Sequence, residues 1–297
     1  MATPCRIKLY AASEEEADRA KTAAYAEIAA IDEAMNDWNP VSEISRLSRA
    51  SGDGPVPISA RLFEVLEASL RYSRLSDGAF DVTVGPVVHL WRRARGTKRL
   101  PEREERNVEL SRVGWRKLSL DPVARTARLE TAWMALDVGG IAKGYACDRA
   151  LAVLARHGIA RAMVDAGGGM ALGDPPPDKA GWSIQLADTE DVLLLANCGV
   201  ATSGDWERYV AIDGRRYSHI VDPRTGLGLT DRALVAVVAP TGMAADALTK
   251  CVMIPGADRG MKLIESLPST HAWMRWEDGP QVRTARTSRF NALLRLD

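Results

Sequence analysis

The segment "DVGGIAKGYACD", residues 137–148, places three glycines and a lysine between an acidic residue and a predicted helix. Gly139, Gly140 and Gly144 would let backbone N–H groups approach an anion, and the N-terminus of the following helix would favour negative charge. Lys143 could add a positive charge. Because the spacing matches neither GxxxxGK(S/T) nor GxGxxG, the residues leave two interpretations open: a phosphate-binding loop, or a tight turn from a strand into a helix.

Outward from this segment, hydrophobic periodicity predicts helices and strands in both directions. Ser13 and Glu16 form a capping-box pattern, and the apolar residues behind them recur every three or four positions, which predicts a helix ending near residues 38–40. Further helices are predicted over about 60–73, 141–157 and 244–253, and after Gly256. Strands are predicted for "RIKLYAA", for two runs within 115–130, and for "RAMVDA", "GWSIQLA", "VLLLANCGVATS", "RYSHIVD", "ALVAVVAP", "HAWMRWED" and "QVRTART".

Hairpins and helices follow one another without the regular strand–helix–strand alternation that builds a parallel sheet, which predicts the α+β class. The loop "GDPPPDKAG", residues 173–181, is the best candidate for a boundary. The chain of 297 residues is therefore predicted to form a single domain over 1–297, with sub-lobes at about 1–172 and 173–297.

Charge and hydropathy argue against a nucleic-acid partner and against a membrane span. The formal net charge is zero and the densest charge run, residues 95–112, mixes signs as a solvated loop or helix face does, so no nucleic-acid partner is expected. No run of about 18 apolar residues occurs, so no membrane span is expected. The first residues lack the apolar core of a signal peptide, which predicts a cytoplasmic protein, or a periplasmic one if a leader has been removed.

Two further segments carry candidate chemistry. "DAGGGMALGD", residues 165–174, predicts a hairpin or bulge, or a close approach of another group to the backbone. In "YSHIVDPRTG", residues 217–226, His219 and Asp222 could serve in acid–base or metal chemistry and Arg224 could hold a phosphate. The alternative is that Asp222 caps the turn at Pro223. The three other histidines, namely His89, His157 and His271, are predicted to be structural.

Other polar positions admit a plain structural reading. Asp246 lies near the start of a predicted helix, where its negative charge would interact favourably with the helix dipole or bind a cation. "SEISRLS", residues 42–48, predicts a cap and a short helix. "GAFDVTVGPVVHLW", residues 78–91, sets Asp81 between hydrophobic residues and is compatible with simple packing.

Taken in order, these segments resemble the ApbE family of FAD:protein FMN transferases over nearly the whole chain. The matching stretches are "TPCRIKLY", "MNDWNPVSEISRLS", "GAFDVTVGP…LW", "DVGGIAKGYACD", "VDAGGG", "ATSGDWERY", "YSHIVDPRTG" and "ADALT". The two most specific are "GGIAKGYA" and "HIVDPRTG".

The resemblance implies an α+β, two-lobed fold of mixed and antiparallel sheets with flanking helices, which binds FAD in a cleft. With Mg²⁺, such a protein moves the FMN half of FAD onto a Thr or Ser of a target protein and releases AMP. The implied metal ligands are Ala142, Asp246 and, as a substitute, Thr249. His219 and Asp222 would be catalytic. The implied cofactor-binding residues are Met35, Trp38, Ala79, Phe80, Asp81, Lys143, Thr202, Ser203, Gly204 and Arg224.

Two positions depart from the family pattern. The family usually has Thr four residues after the metal-binding Asp, whereas this chain has Lys250 there and Thr249 one residue earlier. Lys250 either places its ammonium group where the metal would lie or extends to solvent. At Gly169 the family commonly has Asp. These departures define the alternative, a non-catalytic FAD-binding protein of the same fold; a third candidate activity is hydrolysis of FAD without a protein acceptor.

Overall fold

The computed structural model describes residues 4–204 and 209–295. Residues 205–208 of the stretch "ATSGDWERY", and Thr3 of "TPCRIKLY", lie outside the described residues. The helices are α1 (Glu14–Met35), α2 (Glu43–Arg49), α3 (Ala60–Leu75), α4 (Gly85–Thr97), α5 (Arg103–Ser111), α6 (Ala142–Arg156), α7 (Gly242–Met253) and α8 (Ala257–Glu265).

The strands alternate irregularly with these helices, which confirms the α+β class. They are β1 (Arg6–Leu9), β2 (Val56–Pro57), β3 (Leu118–Asp121), β4 (Thr126–Leu129), β5 (Ala162–Asp165), β6 (Gly169–Leu172), β7 (Trp182–Gln185), β8 (Val192–Leu195), β9 (Cys198–Gly204), β10 (Tyr209–Ile212), β11 (Arg215–Ser218), β12 (Val221–Asp222), β13 (Leu227–Gly228), β14 (Ala233–Ala239), β15 (His271–Asp278) and β16 (Gln281–Arg286). None of the described helices has the length and apolar character needed to cross a membrane.

The chain separates into two compact units. The first is made of Met1–Asp32, Ile141–Ser203 and Leu234–Asp297, and the second of Glu33–Gly140 and Gly204–Ala233. These bounds differ from sub-lobes at 1–172 and 173–297, because the chain enters each unit more than once. The organisation of residues 1–297 as a single domain stays a prediction.

The first unit is built on a seven-stranded sheet with the strand order β1-β5-β6-β9-β14-β15-β16. The pairs β1–β5, β5–β6, β6–β9 and β15–β16 are antiparallel. Every residue of β14 is buried, which explains its uninterrupted apolar sequence "ALVAVVA". Helix α6 packs on β5 and β6 through Cys147, Ala150 and Leu154.

The second unit combines helices α2 to α5 with small antiparallel sheets. Strands β2, β4 and β3 form one sheet, and the pairs β10–β11 and β12–β13 form two hairpins. Trp91 of α4 packs its ring 5.2 Å from that of Tyr217, centroid to centroid, and donates a hydrogen bond from Nε1 to the carbonyl of Gly226. Helix α4 is thereby fixed against the β12–β13 hairpin.

The sequence predicted most of these elements, and its errors have local causes. Helix α4 was not predicted, because Gly85–Pro86 resembles a break, whereas Pro is well tolerated in the first turn of a helix. The single strand predicted for "VLLLANCGVATS" was wrong: it divides into β8 and β9, because Asn197 adopts a left-handed conformation with φ +52°. The mixed-charge run contains α5, which begins with a capping box of Glu102 and Glu105.

Three glycines let the main chain of α7 approach its neighbours in the first unit. A Cβ atom on Gly144 in α6 would overlap the carbonyl group of Gly242, and one on Gly199 in β9 would overlap the backbone between Thr241 and Gly242. Gly144 therefore serves a contact between the backbones of α6 and α7. The phosphate-binding interpretation of the segment stays a prediction.

Replacement of Gly144 by Ala is expected to lower the free energy of unfolding by about 3 kcal/mol or more, because the rigid backbone of Gly242 has to move. The matched control is Gly96→Ala in α4, where an added Cβ would meet nothing within 4 Å. That change should raise the free energy of unfolding by about 0.5–1 kcal/mol. Urea denaturation of the three proteins measures both effects, and a Gly144→Ala protein as stable as the wild type would contradict the contact.

Candidate functional site

Helices α6 and α7 cap each other where they cross. Asp148 of α6 accepts hydrogen bonds from the backbone N–H groups of Gly242 and Met243, at 2.7 and 2.8 Å. In return, Asp246 of α7 accepts a bond of 3.2 Å at Oδ2 from the backbone N–H of Gly144. Since Ile141, the N-cap of α6, provides no side-chain bond, Asp246 supplies the negative group that a helix N-terminus favours.

Two lysines reach the carboxylate of Asp246. The Nζ atom of Lys250 lies 2.5 Å from Oδ1 and 3.1 Å from the backbone carbonyl oxygen of the same residue. The Nζ atom of Lys143 lies 3.6 Å from Oδ2. The side chains of Asp246, Lys250 and Lys143 are 3%, 14% and 25% exposed. We call these three side chains the acid–lysine cluster.

The two lysines keep the carboxyl group of Asp246 ionised. Burial raises the pKa of Asp246, but the charges of Lys143 and Lys250 and the hydrogen bonds more than offset it, which leaves the pKa at about 2. Burial lowers the pKa of Lys250, and the neighbouring carboxylate opposes that change. Asp246 is therefore ionised at neutral pH and is paired with both lysines.

Hydroxyl groups adjoin the acid–lysine cluster. Thr249 donates a hydrogen bond of 2.7 Å from Oγ1 to the backbone carbonyl of Asp246, and its Oγ1 lies 2.7 Å from Oγ of Ser203. Thr202 donates its backbone N–H to the carbonyl of Gly168 at 2.6 Å. Contacts thus link four predicted site residues of the first unit, namely Lys143, Asp246, Thr249 and Ser203. Thr202 precedes Ser203 in β9, and Ala142 is the first residue of α6, next to Lys143.

The acid–lysine cluster does not fit a divalent cation on Asp246. One carboxylate oxygen already receives the Lys250 ammonium and the other receives the Gly144 N–H, with Lys143 beside it. Two unit charges about 4 Å apart interact by about 4 kcal/mol at an effective dielectric constant of about 20, and the repulsion doubles for a divalent cation. Among residues 4–204 and 209–295, no group of three or more His, Cys, Asp or Glu side chains is placed to hold a metal ion.

The triple-glycine segment forms the β5–β6 turn, as the hairpin interpretation predicts. Gly167 and Gly168 have φ values of +62° and +94°, which favour glycine, and Asp165 accepts a hydrogen bond from the N–H of Gly167. Gly169 is different: a Cβ there would lie 3.6 Å from the nitrogen of Gly144 and 3.8 Å from Cβ of Lys143, at ordinary contact distances. A Cβ atom would therefore fit at position 169, next to Lys143 of the acid–lysine cluster.

The second unit holds the remaining predicted residues. Asp222 and Arg224 form a two-pronged ion pair in the β12–β13 turn, with Oδ1–Nε and Oδ2–Nη2 distances of 2.9 and 2.8 Å. The same carboxylate accepts the backbone N–H of Arg224 at 2.9 Å, which confirms the turn-capping interpretation. The hydrogen bond from Arg224 to Asp222 raises the pKa of the guanidinium further. Half-buried His219 lies between β11 and β12.

The segment "GAFD" lies in the core of the second unit. Ala79, Phe80 and Asp81 are all buried. Asp81 accepts hydrogen bonds from the N–H and hydroxyl of Thr83 and from the backbone N–H of Trp115, so its carboxylate holds the chain where α4 begins. Burial raises the pKa of Asp81. These contacts favour the packing interpretation of this segment, and its contact with a cofactor stays a prediction.

The second unit contains a cavity of about 530 Å³ that no sequence pattern predicted. Arg92 of α4 joins Asp37 and Asp137, with N–O distances of 2.6 and 3.3 Å, and its guanidinium carbon lies 4.1 Å from the centroid of the Trp38 ring. The Trp38 side chain is 71% exposed. The residues lining the cavity are Asp37, Pro40, Ser45, Ser48, Arg49, Ser51, His89, Ala132, Trp133, Met134, Ala135 and Leu136.

His89 borders this cavity: its side chain is 41% exposed and lies 3.7 Å from Asp37. The structural role predicted for His89 stays a prediction. Burial raises the pKa of Asp37, but its interactions with His89 and Arg92 more than offset this effect, so the pKa lies below its ordinary value. Burial and the charge of Asp37 raise the pKa of Asp137. Met35, predicted to border the cofactor, ends α1 and is buried.

Comparison with known proteins identifies relatives along most of the chain. The sequence profile of the ApbE family matches residues 1–274. The FAD:protein FMN transferase of Vibrio cholerae serotype O1 is 30% identical over 246 residues, which cover 80% of this chain and 73% of that protein. The FAD:protein FMN transferase of Chlamydia trachomatis serovar D is 32% identical over 222 residues, 73% of this chain and 70% of that protein.

Solved structures show the same fold. The flavin transferase ApbE from Vibrio cholerae superimposes with a TM-score of 0.89 at 27% identity, covering 99% of this chain and 96% of that one. The ApbE protein from Thermotoga maritima gives a TM-score of 0.88 at 28% identity, with the same coverage. The flavinyl transferase ApbE from Pseudomonas stutzeri gives 0.84 at 25% identity, covering 98% and 96%.

The ionised form of Asp246 is expected to stabilise the protein. Its pKa is about 2 in the folded state and about 4 in the unfolded state, so the stabilisation is present above pH 4 and is lost as the pH falls from about 4 to about 2. Asp246→Asn should therefore lower the free energy of unfolding at pH 7 by about 2 kcal/mol, and this difference should vanish near pH 2.

Urea denaturation between pH 7 and pH 2.5 measures the difference. The control is Asp178→Asn in an exposed loop, which should change stability by less than about 0.5 kcal/mol at each pH. A difference between wild type and Asp246→Asn that stays constant down to pH 2.5 would contradict the lowered pKa.

Proposed function

Because this chain belongs to the ApbE family, we propose that it is an FAD:protein FMN transferase, which transfers FMN from FAD to a Thr or Ser of a target protein and releases AMP. The observation that carries the proposal is the acid–lysine cluster at the start of α6. A pyrophosphate gains negative charge on its leaving group as it is cleaved, and buried positive charge stabilises that change. Relatives that carry this activity in their names cover most of the chain.

The reaction is a substitution at phosphorus. The hydroxyl oxygen of the acceptor attacks the phosphorus atom of the FMN half, and the bond from that phosphorus to the bridging oxygen breaks. The bridging oxygen leaves with the electron pair as part of AMP, and the hydroxyl proton passes to a base. We assign that proton to His219, because both oxygens of Asp222 already accept hydrogen bonds from Arg224.

Other residues would hold the substrate. Lys143 and Lys250 would face the phosphates, and Thr202, Ser203 and Gly204 of β9 would hold the nucleotide beside them. Met35 and the exposed Trp38 would border the flavin. Asp222 would hold Arg224 as a fixed positive group, able to bind a phosphate oxygen. Dependence on Mg²⁺, through Ala142, Asp246 and Thr249, is a prediction from the resemblance alone, and the contacts of Asp246 do not favour it.

A second candidate function is a non-catalytic FAD-binding protein. The observation that favours it is the full engagement of both predicted acids, Asp222 by Arg224 and Asp246 by Lys250. In that case FAD would bind without release of AMP. Hydrolysis of FAD without an acceptor would release AMP but would leave an added peptide unlabelled.

The proposal is tested by incubating the protein with FAD and a threonine-containing acceptor peptide, and by measuring AMP and the mass of the peptide. We expect the peptide to gain the mass of FMN in step with AMP release. His219→Asn should slow both by about a hundredfold or more without weakening FAD binding. His157→Asn, at an exposed position after α6, should match the wild type.

The outcomes separate the candidates. AMP without labelling would indicate a hydrolase, and tight FAD binding without AMP would indicate the non-catalytic protein. Normal rates in His219→Asn would remove His219 from the mechanism.

A further inference from the structure

We propose that Lys250 is a built-in counter-ion: its ammonium group, held by Asp246, replaces a divalent cation, so that the acid–lysine cluster binds the diphosphate of FAD without a metal ion. The inference rests on the proposed function for the identity of the ligand. It goes beyond that function because it assigns the charge neutralisation to this chain's own residues and predicts resistance to chelators.

The Lys250 ammonium already occupies one oxygen of the Asp246 carboxylate. Lys250 is four residues after Asp246 on α7, so one turn of helix sets its ammonium beside Oδ1, at 2.5 Å. The ammonium also donates to the backbone carbonyl of Asp246 at 3.1 Å. A cation ligated by Asp246 would have to displace a charged group that is largely buried and held by two bonds.

The Lys250 ammonium has more N–H groups than Asp246 accepts. Within the part of the chain that the structure describes, Asp246 accepts two of the three N–H groups of the Lys250 ammonium, which leaves one for an oxygen of a bound phosphate. The ammonium groups of Lys250 and Lys143 attract phosphate oxygens and repel a divalent cation.

Gly169 places no second carboxylate beside the lysines. In strand β6, a Cβ atom at this position would lie 3.8 Å from Cβ of Lys143, at an ordinary contact distance. A carboxylate there would add a negative charge next to Lys143, so its absence and the presence of Lys250 both favour an anion over a cation.

The structure consequently defines a variant that should create a cation site. In Gly169→Asp/Lys250→Thr, two carboxylates and a hydroxyl would replace one carboxylate and an ammonium, and these are the hard oxygen ligands that Mg²⁺ and Mn²⁺ prefer. Mn²⁺ binding is measured by electron paramagnetic resonance and by calorimetry, without FAD. We expect no saturable Mn²⁺ binding to the wild type and saturable binding to the double variant.

A second measurement follows FAD binding by the quenching of flavin fluorescence, with EDTA and with Mg²⁺. The wild type should bind FAD equally in both conditions. Lys250→Thr should bind FAD at least about tenfold more weakly in EDTA, because a charged hydrogen bond to the phosphates is lost, and Mg²⁺ should restore part of the affinity. The control is Lys262→Thr on the exposed face of α8, which should bind FAD as the wild type does.

Three results would overturn the proposal: saturable Mn²⁺ binding to the wild type, loss of FAD binding to the wild type in EDTA, or unchanged FAD affinity of Lys250→Thr in EDTA. The first two use the wild-type protein, so they decide even if the variants fail to fold. Neither titration uses an acceptor. Absence of peptide labelling by a wild type that binds FAD in EDTA would therefore count against the transferase activity and not against the role of Lys250.

Discussion

The packing of the first unit depends on the contact between the backbones of Gly144 and Gly242, where a single added Cβ atom would not fit. Because no side chain separates α6 from α7, Asp148 can cap one helix while Asp246 caps the other. The carboxylate of Asp246 is thereby carried to the first turn of α6, where Lys143 is the neighbouring residue. The position of the acid–lysine cluster follows from this approach of two helices.

That approach concentrates charge in a place with little access to water. A carboxylate buried alone would be protonated, and the two lysines keep Asp246 ionised. Conversely, Asp246 holds the Lys250 ammonium. Without this carboxylate, a charged lysine would be unfavourable at such a buried position. The three side chains depend on one another, so the positive charge is fixed in position before any ligand arrives. A preorganised charge of this kind suits the cleavage of a pyrophosphate, since little reorganisation is needed during the reaction.

The sequence predicted those features that depend on local pattern. The apolar period of α1, α3 and α6, the buried strand β14 and the triple-glycine hairpin all follow from nearby residues, and the helical spacing of Asp246 and Lys250 made their contact foreseeable. The role of Gly144 was not predictable, because Gly242 lies almost a hundred residues later and only the tertiary fold brings the two together. The same holds for Lys143 beside Asp246 and for Arg92 between Asp37 and Asp137. Helix α4 was not predicted because it begins with Gly85–Pro86, a pair that commonly ends a helix.

The most direct test of a metal-free charge cluster is a crystal structure of the wild-type protein with FAD, grown with MnCl₂ and recorded at the manganese absorption edge. We expect no anomalous peak at Asp246, with the Lys250 ammonium still on the carboxylate and in contact with a phosphate oxygen of FAD. A manganese peak ligated by Asp246, with Lys250 turned away from it, would contradict the metal-free charge cluster.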